Sequence, residues 1–328
     1  MFALVLLLVV SGLVAAAYDA YRARPLSLVN TPLRFKVEKG AGLAQISGAM
    51  QASGLQLAAW QLSLAMRLRG DSHRIKAGVY ELAQAVTLKA LLDMMVRGDS
   101  VLAQLRVIEG WDFRKFRAQV NAHPELLHDS ADLTDEQLLR RIGADETKPE
   151  GLFFPNTYRF APGSSDLDVY RQAYRLMKAA VDAAWETRQE DLPIKSPYEA
   201  LILASIVEKE TGREDERAKV AAVFVNRLRI GMPLQSDPTT IYGMGERFDG
   251  NLRKRDLQTD TPYNTYTRRG LPPTPISLPG RASLLAVMQP EPIKALFFVS
   301  RGDGSSEFSD DLNGHNRAVA RYQLKRKP

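Results

Sequence analysis

Apolar positions recur at helical spacing through much of the chain, whereas strand-like alternation is confined to short stretches. The spacing predicts helices over residues 43–53, 57–68, 87–97, 112–121, 166–188, 199–210 and 214–229, with a last helix starting at 315. Short strands are predicted over residues 33–37, 75–82, 101–108 and 295–300. Many helices combined with short, scattered strands predict an α+β fold.

One of these helices carries a carboxylate on its apolar face. Ile206 and Val207 belong to a buried stripe, and Glu210 follows them by four and three residues, so it continues the same stripe. Glu208 lies about 200° around the helix from Glu210, at ~100° per residue, and is expected to face the side marked by Ser205. Because desolvation disfavours the charged form, Glu210 is predicted to have a raised pKa, as a general acid requires near neutral pH.

A simpler interpretation of Glu210 stays open at this point. A glutamate at a helix end is usually solvated or paired, and Lys209, Arg213 and Arg217 are close in sequence. Carboxylates with shifted pKa values are enriched at active sites but also occur in structural ion pairs. The pattern therefore selects Glu210 as a candidate without assigning its role.

The N-terminus is the most apolar part of the chain. Residues 2–17 carry no charge, and with Tyr18 the apolar run is about 17 residues, or ~25 Å as a helix, against a hydrocarbon core of ~30 Å. Ala15 and Ala17 also fit a signal-peptide cleavage site, but no basic residues precede the run. We favour an uncleaved anchor over a cleaved signal peptide.

The pattern divides the chain into four parts. We predict a transmembrane anchor over residues 1–18, a stalk over 19–32, a small α+β subdomain over 33–100 and a larger mixed α/β domain over 101–328. The small subdomain has two open interpretations, a spacer or a module that binds carbohydrate or cell wall. Pro25 and Pro32 are typical of a stalk, and Gly98 ends the last helix of the subdomain.

The amino-acid composition excludes several classes of catalytic site. The 328 residues carry a net charge of +6, which suits an anionic membrane, nucleic acid or cell-wall polymer without choosing between them. The absence of cysteine excludes disulfides and Cys-ligated zinc, and the four histidines form no metal-binding pattern. No nucleophile-elbow serine and no phosphate-binding loop is present. Carboxylate chemistry on a sugar or polymer remains, with Asp237 as the best partner for Glu210 if two carboxylates are needed.

Two polar loops and an aromatic stretch are the remaining candidates for a site. Residues 232–239 and 263–276 are rich in proline and polar side chains, and loops of this kind often carry binding groups. Residues 150–160 combine aromatic rings with Glu150, Asn156 and Thr157. Such a stretch can line a sugar groove or form an aromatic corner of the core, and composition does not separate the two.

At motif level the chain resembles the endolytic murein transglycosylases, a family anchored in the bacterial inner membrane. The resemblance rests on LASIVEKETGREDERAKVAAVFVNRLRIGMPLQSDPTTIYGMG, EGLFFPNTY at 150–158, TPYNTYTRRGLPPTPISLPG at 261–280 and HN at 315–316. It covers most of residues 33–325 and keeps the order of the motifs. Residues 75–82, IKAGVYEL, are similar to the LysM-like subdomain of that family.

The resemblance implies a reaction and a location. The enzyme would cut the β-1,4 bond between N-acetylmuramic acid and N-acetylglucosamine in nascent glycan strands, and the C6 hydroxyl would close on C1 to leave a 1,6-anhydro end. Glu210 matches the catalytic glutamate and needs no metal or cofactor. The protein would be single-pass in the inner membrane with its catalytic domain in the periplasm. It would end glycan elongation beside peptidoglycan synthases, with no nucleic-acid partner.

The sugar contacts are a hypothesis within that resemblance. We expect six side chains to position the sugars and stabilise the oxocarbenium-like state: Gln235, Ser236, Asp237, Tyr263, Asn264 and Tyr266. Two alternatives stay open. The chain could be a wall-binding scaffold that recruits synthases without cleaving, or a muramidase that uses water and leaves a reducing end.

Overall fold

The computed structural model describes residues 2–324, with the backbone alone at positions 2–4, 6–8, 14 and 15. The chain forms two compact units. Unit 1 comprises residues 1–103 and 159–164, and unit 2 comprises residues 104–158 and 165–328. Met1 of the predicted anchor lies outside the described residues. The predicted domain boundaries at residues 18, 32 and 100 stay predictions.

The helices lie largely where the hydrophobic spacing predicts them. They are α1 Phe2–Arg22, α2 Leu43–Ala52, α3 Ala59–Arg69, α4 Leu88–Arg97, α5 Phe113–Asn121, α6 Asp135–Ile142, α7 Asp166–Glu186, α8 Pro197–Glu210, α9 Arg217–Arg229, α10 Asp237–Met244, α11 Lys254–Gln258, α12 Arg281–Met288 and α13 Leu312–Val319. A 3₁₀ turn follows at Gly245–Arg247 and a π-helical turn at Ala320–Leu324. Four of these helices, α6, α10, α11 and α12, have no counterpart in the prediction.

The strands are short and pair in twos. They are β1 Leu33–Val37, β2 Gly78–Leu82, β3 Ala103–Arg106, β4 Leu126–Leu127, β5 Thr157–Phe160, β6 Ser164–Ser165, β7 Phe297–Ser300 and β8 Ser306–Ser309. Helices with small, separate sheets confirm a mixed α+β fold. None of the helices within residues 2–324 combines the length and apolar character needed to cross a membrane.

Unit 1 is built on an antiparallel pair, β1 and β2, with Leu33 opposite Leu82 and Phe35 opposite Tyr80. The alternating residues of β1 are buried on one face, and the Phe35 and Tyr80 rings stack at 5.5 Å. The buried faces of α2, α3 and α4 complete this core. The LysM-like character of the unit stays a prediction.

Unit 2 has a helical core around α8. This helix begins at Ser196, whose hydroxyl accepts the backbone N–H of Glu199, and every residue from Ala200 to Val207 is buried. It packs against α7, α9, α10 and α12. An antiparallel hairpin, β7 and β8, packs with α13 at the end of the chain. Glu210, the candidate acid, is the last residue of this buried helix.

Candidate active site

Glu210 is partly buried at the C-terminal end of α8, as its position on the apolar stripe predicts. Among the described residues, one donates a hydrogen bond to its carboxylate: Ser236, through its hydroxyl, at 2.6 Å. The pKa of Glu210 is raised to about 7, chiefly by burial and also by the charge of Asp237, while the Ser236 hydrogen bond and Arg227 oppose the rise. The carboxyl is therefore close to half protonated at neutral pH. Such a group can give a proton in one step and accept one in the next.

Ser236 is buried at the N-cap position of α10, but it does not cap that helix. Its hydroxyl serves Glu210 instead, and its backbone N–H donates to the Thr265 hydroxyl at 3.0 Å. Thr265 also accepts the N–H of Gln235 on its carbonyl at 3.1 Å. Thr265 thus ties the two predicted polar loops together beneath Glu210.

Asp237 and Tyr266 form a second pair beside Glu210. The Tyr266 hydroxyl donates to Asp237 at 2.6 Å. Burial raises the Tyr266 pKa well above its ordinary value, with further contributions from Asp237 and Glu210, so the phenol stays a donor. The structure therefore brings three of the six predicted sugar contacts, Ser236, Asp237 and Tyr266, together at Glu210, and their role in binding sugar stays a prediction.

Arg227 is a buried cation within electrostatic reach of Glu210. Its guanidinium donates to the carbonyls of Leu296 at 2.7 Å and Leu234 at 2.6 Å, and it lies over the Phe297 ring at 5.2 Å. Desolvation lowers its pKa. The sequence places Arg227 on the apolar face of α9, three and four residues after Phe224 and Val223. That spacing, which singled out Glu210, could have singled out Arg227 as well.

The other predicted sugar contacts take different positions. Gln235 is exposed and adopts a left-handed backbone with φ +51°. The Tyr263 hydroxyl hydrogen-bonds Thr274 at 2.8 Å. Asn264 is fully buried, and its amide donates to the carbonyls of residues 256, 257 and 259 while its oxygen accepts the N–H of Tyr266. In this arrangement Asn264 fixes the shape of the loop.

A groove of 1280 Å³ runs beside these loops. Its walls include Lys209 and Pro238, the chain neighbours of Glu210 and Asp237, together with Trp111, Tyr242 and Tyr263. The Tyr242 and Tyr263 rings meet edge to face at 4.8 Å. Its walls combine charged and aromatic side chains, and aromatic walls suit the apolar faces of pyranoses.

Glu150 is a carboxyl in the groove wall. No sequence pattern indicated its role. Both of its oxygens accept the N–H of Phe113 at 3.1 Å, and the Tyr242 hydroxyl donates to it at 3.1 Å. Burial raises its pKa to about 7, while the bonds from Phe113 and Tyr242 oppose the rise. Glu150 therefore joins the start of α5 to α10.

The aromatic residues of this stretch pack mainly in the hydrophobic core. Phe153 is fully buried and packs against Phe113 at 5.3 Å, Phe116 at 5.4 Å and Tyr170 at 5.6 Å. The aromatic rings of residues 150–160 therefore form a corner of the core. Of these residues, Glu150 is the one that lines the groove.

Glu208 faces away from Glu210, as predicted, towards the segment that follows the second loop. It accepts the N–H of Gly280 at 2.9 Å and the Ser283 hydroxyl at 2.7 Å, and Arg217 lies 3.8 Å away. Ser205, one turn earlier, accepts the N–H of Ile276 at 2.9 Å. One side of α8 thus fastens the 261–280 loop, and the other presents Glu210.

No group of three or more His, Asp or Glu side chains within residues 2–324 converges as a metal site would require. The residues gathered at Glu210 supply a carboxyl with a pKa near 7, the serine hydroxyl bonded to it and a carboxylate–phenol pair.

Comparisons with known proteins identify relatives of this chain. An endolytic murein transglycosylase of Bacillus subtilis is 27% identical over 310 residues, which cover 89% of this chain and 85% of that protein. One from Streptococcus pneumoniae serotype 2 is 24% identical, covering 87% of this chain and 57% of the relative. The crystal structure of a putative YceG-like protein from Listeria monocytogenes has a TM-score of 0.56 at 26% identity, covering 87% of this chain and 98% of that one. The YceG-like family profile matches residues 35–321, and the chain belongs to this family.

Proposed function

We propose that this protein is an endolytic murein transglycosylase. It cleaves the β-1,4 bond between N-acetylmuramic acid and N-acetylglucosamine within glycan strands and leaves 1,6-anhydro-muramoyl ends. The observation that carries the proposal is the state of Glu210, a partly buried carboxyl with a pKa of about 7 and a single hydrogen bond, from Ser236. The names of the relatives support the substrate class.

The reaction needs one group that works twice. Protonated Glu210 gives its proton to the glycosidic oxygen as the bond from that oxygen to C1 breaks, and positive charge develops on the muramoyl ring. Ionised Glu210 then takes the proton of the C6 hydroxyl as that oxygen bonds to C1. The proton returns to Glu210, no water is consumed, and the enzyme is ready for another cycle. A pKa near ambient pH serves both steps because neither protonation state is costly to reach.

The residues around Glu210 have different proposed roles in the reaction. Ser236 aims the Glu210 carboxylate, and Asp237, held by Tyr266, supplies negative charge near the ring that becomes cationic. Arg227 offsets the charge of Glu210 when it is ionised. Gln235 and Tyr263 contact the sugars, while Asn264 supports them by fixing the loop.

Location and partners complete the proposal. The N-terminal segment attaches the protein to the bacterial inner membrane, with the catalytic unit in the periplasm. Beside the peptidoglycan synthases, the enzyme releases strands from synthesis and so ends their elongation. Fractionation of cells that produce the full chain tests the attachment, and recovery of the protein free of membranes would oppose it.

Mass spectrometry of digested glycan tests the reaction. The full chain is expected to give anhydro-ended products, and Glu210→Gln is expected to form them about a thousandfold more slowly. Glu214→Gln is the matched control, because Glu214 is exposed and lies four residues further along the chain. Reducing ends would indicate a muramidase that uses water, with Asp237 as the second carboxylate to test. Binding of glycan without cleavage by the wild type would favour the scaffold.

A further inference from the structure

Helix α3 in unit 1 presents an apolar face that no described side chain of the unit covers. Trp60 is 66% exposed, Leu64 45% and Leu68 61%, and these residues follow one another at intervals of four. At ~100° per residue they span about 80° of the helix surface. The opposite side, with Leu62, Ala65 and Met66, is fully buried in the core. The exposed side chains therefore form one continuous stripe, which we call the α3 stripe.

Helix α3 contacts the apolar N-terminal helix α1 on the side away from the α3 stripe. The Tyr18 hydroxyl of α1 donates to the carbonyl of Ala65 in α3 at 3.4 Å, and Tyr21 packs against the core of unit 1. Among the side chains described in α1, four large apolar ones are also at least half exposed: Val5, Val9, Val10 and Leu13. The two helices thus offer uncovered apolar surface on the same unit, joined at Tyr18.

The charge beside the α3 stripe is basic. Arg67 is exposed on the same face as Trp60, and α3 contains no acidic residue. Arg24, just after α1, is exposed too. Within residues 2–324 no carboxylate lies in ion-pair contact with Arg24 or Arg67. Tryptophan, leucine and unpaired arginine together suit the boundary between acyl chains and anionic headgroups.

From these contacts we infer that the α3 stripe lies on the surface of the lipid bilayer, with Trp60, Leu64 and Leu68 in its interface and Arg67 on anionic headgroups. This rests on the membrane attachment proposed above, and it adds a second contact that would hold unit 1 against the membrane. A self-associating surface or a sugar-binding surface would use the same residues differently, so the test must separate these occupants.

The absence of cysteine permits a direct measurement, because a single introduced cysteine can carry a spin label. The full chain is reconstituted with phosphatidylethanolamine–phosphatidylglycerol vesicles, and collision with oxygen and with a water-soluble nickel complex reports immersion. Leu64→Cys and Leu68→Cys report the α3 stripe, and Leu13→Cys reports α1. Ile230→Cys, at a position 61% exposed in unit 2, is the matched control.

We expect labels at 13, 64 and 68 to favour oxygen and the label at 230 to favour nickel. Adding Arg67→Glu is expected to lower the immersed fraction at 64 about fivefold, since one basic residue near an anionic surface contributes about 1 kcal/mol. An immersed label at 13 with labels at 64 and 68 in water would overturn the inference and leave the attachment standing. Water at all three positions would overturn both. If soluble glycan shielded the label at 64 from the nickel complex, the α3 stripe would be a sugar-binding surface. If raising the protein concentration without lipid shielded it, the stripe would be a self-associating surface.

Discussion

Two regions of unit 2 hold a buried carboxyl whose pKa is raised to about 7, and they differ in what surrounds it. Glu210 accepts a single hydrogen bond and keeps part of its surface exposed. Glu150 is 5% exposed and accepts bonds from the Phe113 N–H and the Tyr242 hydroxyl. Desolvation is the largest cause of the shift in both.

We propose that this difference separates a reactive carboxyl, Glu210, from a structural one, Glu150. Glu210 has unused acceptor capacity and access to the surface, so a substrate oxygen can reach it. Glu150 has its oxygens engaged by groups that it holds together, and a substrate would have to displace them. A raised pKa therefore identifies both regions as unusual, whereas the number of donors and the exposure indicate which of them does the chemistry.

Removing each ionisable group in turn tests most directly whether Glu210 and Glu150 differ in function. Glu210→Gln is expected to lower the rate of anhydro-product formation by about a thousandfold, because it removes both the acid and the base. Glu150→Gln keeps the shape of the protonated carboxyl and is expected to stay within about tenfold of wild type. Both rates are measured by mass spectrometry of the same glycan. Equal losses in the two variants would make Glu150 a second catalytic carboxylate.

Stability as a function of pH is expected to reveal both groups. Each carboxyl has a native pKa of about 7 and an ordinary value of 4.5, so between these values the native state retains protons that the unfolded chain has lost. The free energy of unfolding therefore falls as pH rises from 4.5 to 7, by about 3 kcal/mol for each group.

Denaturant unfolding at pH 5 and pH 7.5 measures this fall. Glu210→Gln and Glu150→Gln should each remove roughly half of the contribution from the pair, and Glu214→Gln should remove none. A slope unchanged in the Glu210→Gln variant would mean that Glu210 is ionised in the folded protein, and the acid role would lose its support.

Deleting the side chain tests the structural half of the comparison. Glu150→Ala leaves the N–H of Phe113 and the hydroxyl of Tyr242 without their acceptor, and is expected to lower the free energy of unfolding by about 2–3 kcal/mol. Chemical denaturation at pH 5 gives the value, with Glu150→Gln as the control that retains an oxygen. If the Ala variant were as stable as wild type at pH 5, Glu150 would not be what joins α5 to α10.

The sequence anticipated some of these features for physical reasons and missed others. Glu210 and the orientation of Glu208 follow from helical spacing, which is local information. The same spacing places Arg227 on the buried face of α9, which marks it as a second unusual charged residue. The α10 helix starts inside a stretch that reads as a polar loop, although Ser236, Asp237 and Pro238 form a helix-start pattern. The amide of Asn264 binds carbonyls at 256, 257 and 259, and these partners depend on a loop conformation that no periodicity specifies.

The α12 helix was missed for a different reason. Its sequence, RASLLAVM, is only eight residues long, and five of them are buried because α12 packs against α7, α8 and α9. A short run that is apolar on most sides lacks the one-sided pattern by which a surface helix is recognised. The loop before it is held by Glu208 and Ser205, so the missed helix and the predicted loop are parts of one arrangement on α8.

Ser236 gives the finest test, because it changes the surroundings of Glu210 and leaves the carboxyl in place. Ser236→Ala removes the 2.6 Å hydrogen bond that favours the ionised form, so the pKa of Glu210 should rise. The alkaline limb of kcat/KM should then move to higher pH, since the free enzyme must be protonated to act as acid. The rate at neutral pH should fall about tenfold, because a hydrogen bond to a charged group contributes about 1.5 kcal/mol to placing it.

Ser277→Ala is the matched control for that change. It also removes a buried hydroxyl, which donates to the Ser205 carbonyl at 3.0 Å, but it does not touch Glu210. Its pH profile should coincide with that of wild type even if its stability falls. Because the Ser236 hydroxyl does not cap α10, Ser236→Ala is expected to cost less stability than a lost helix cap. A shifted profile at near-normal stability would show that Ser236 acts through the protonation of Glu210. An unshifted profile with a lower Tm would make it a packing residue and would leave Asp237 and Arg227 as the groups that set the acid.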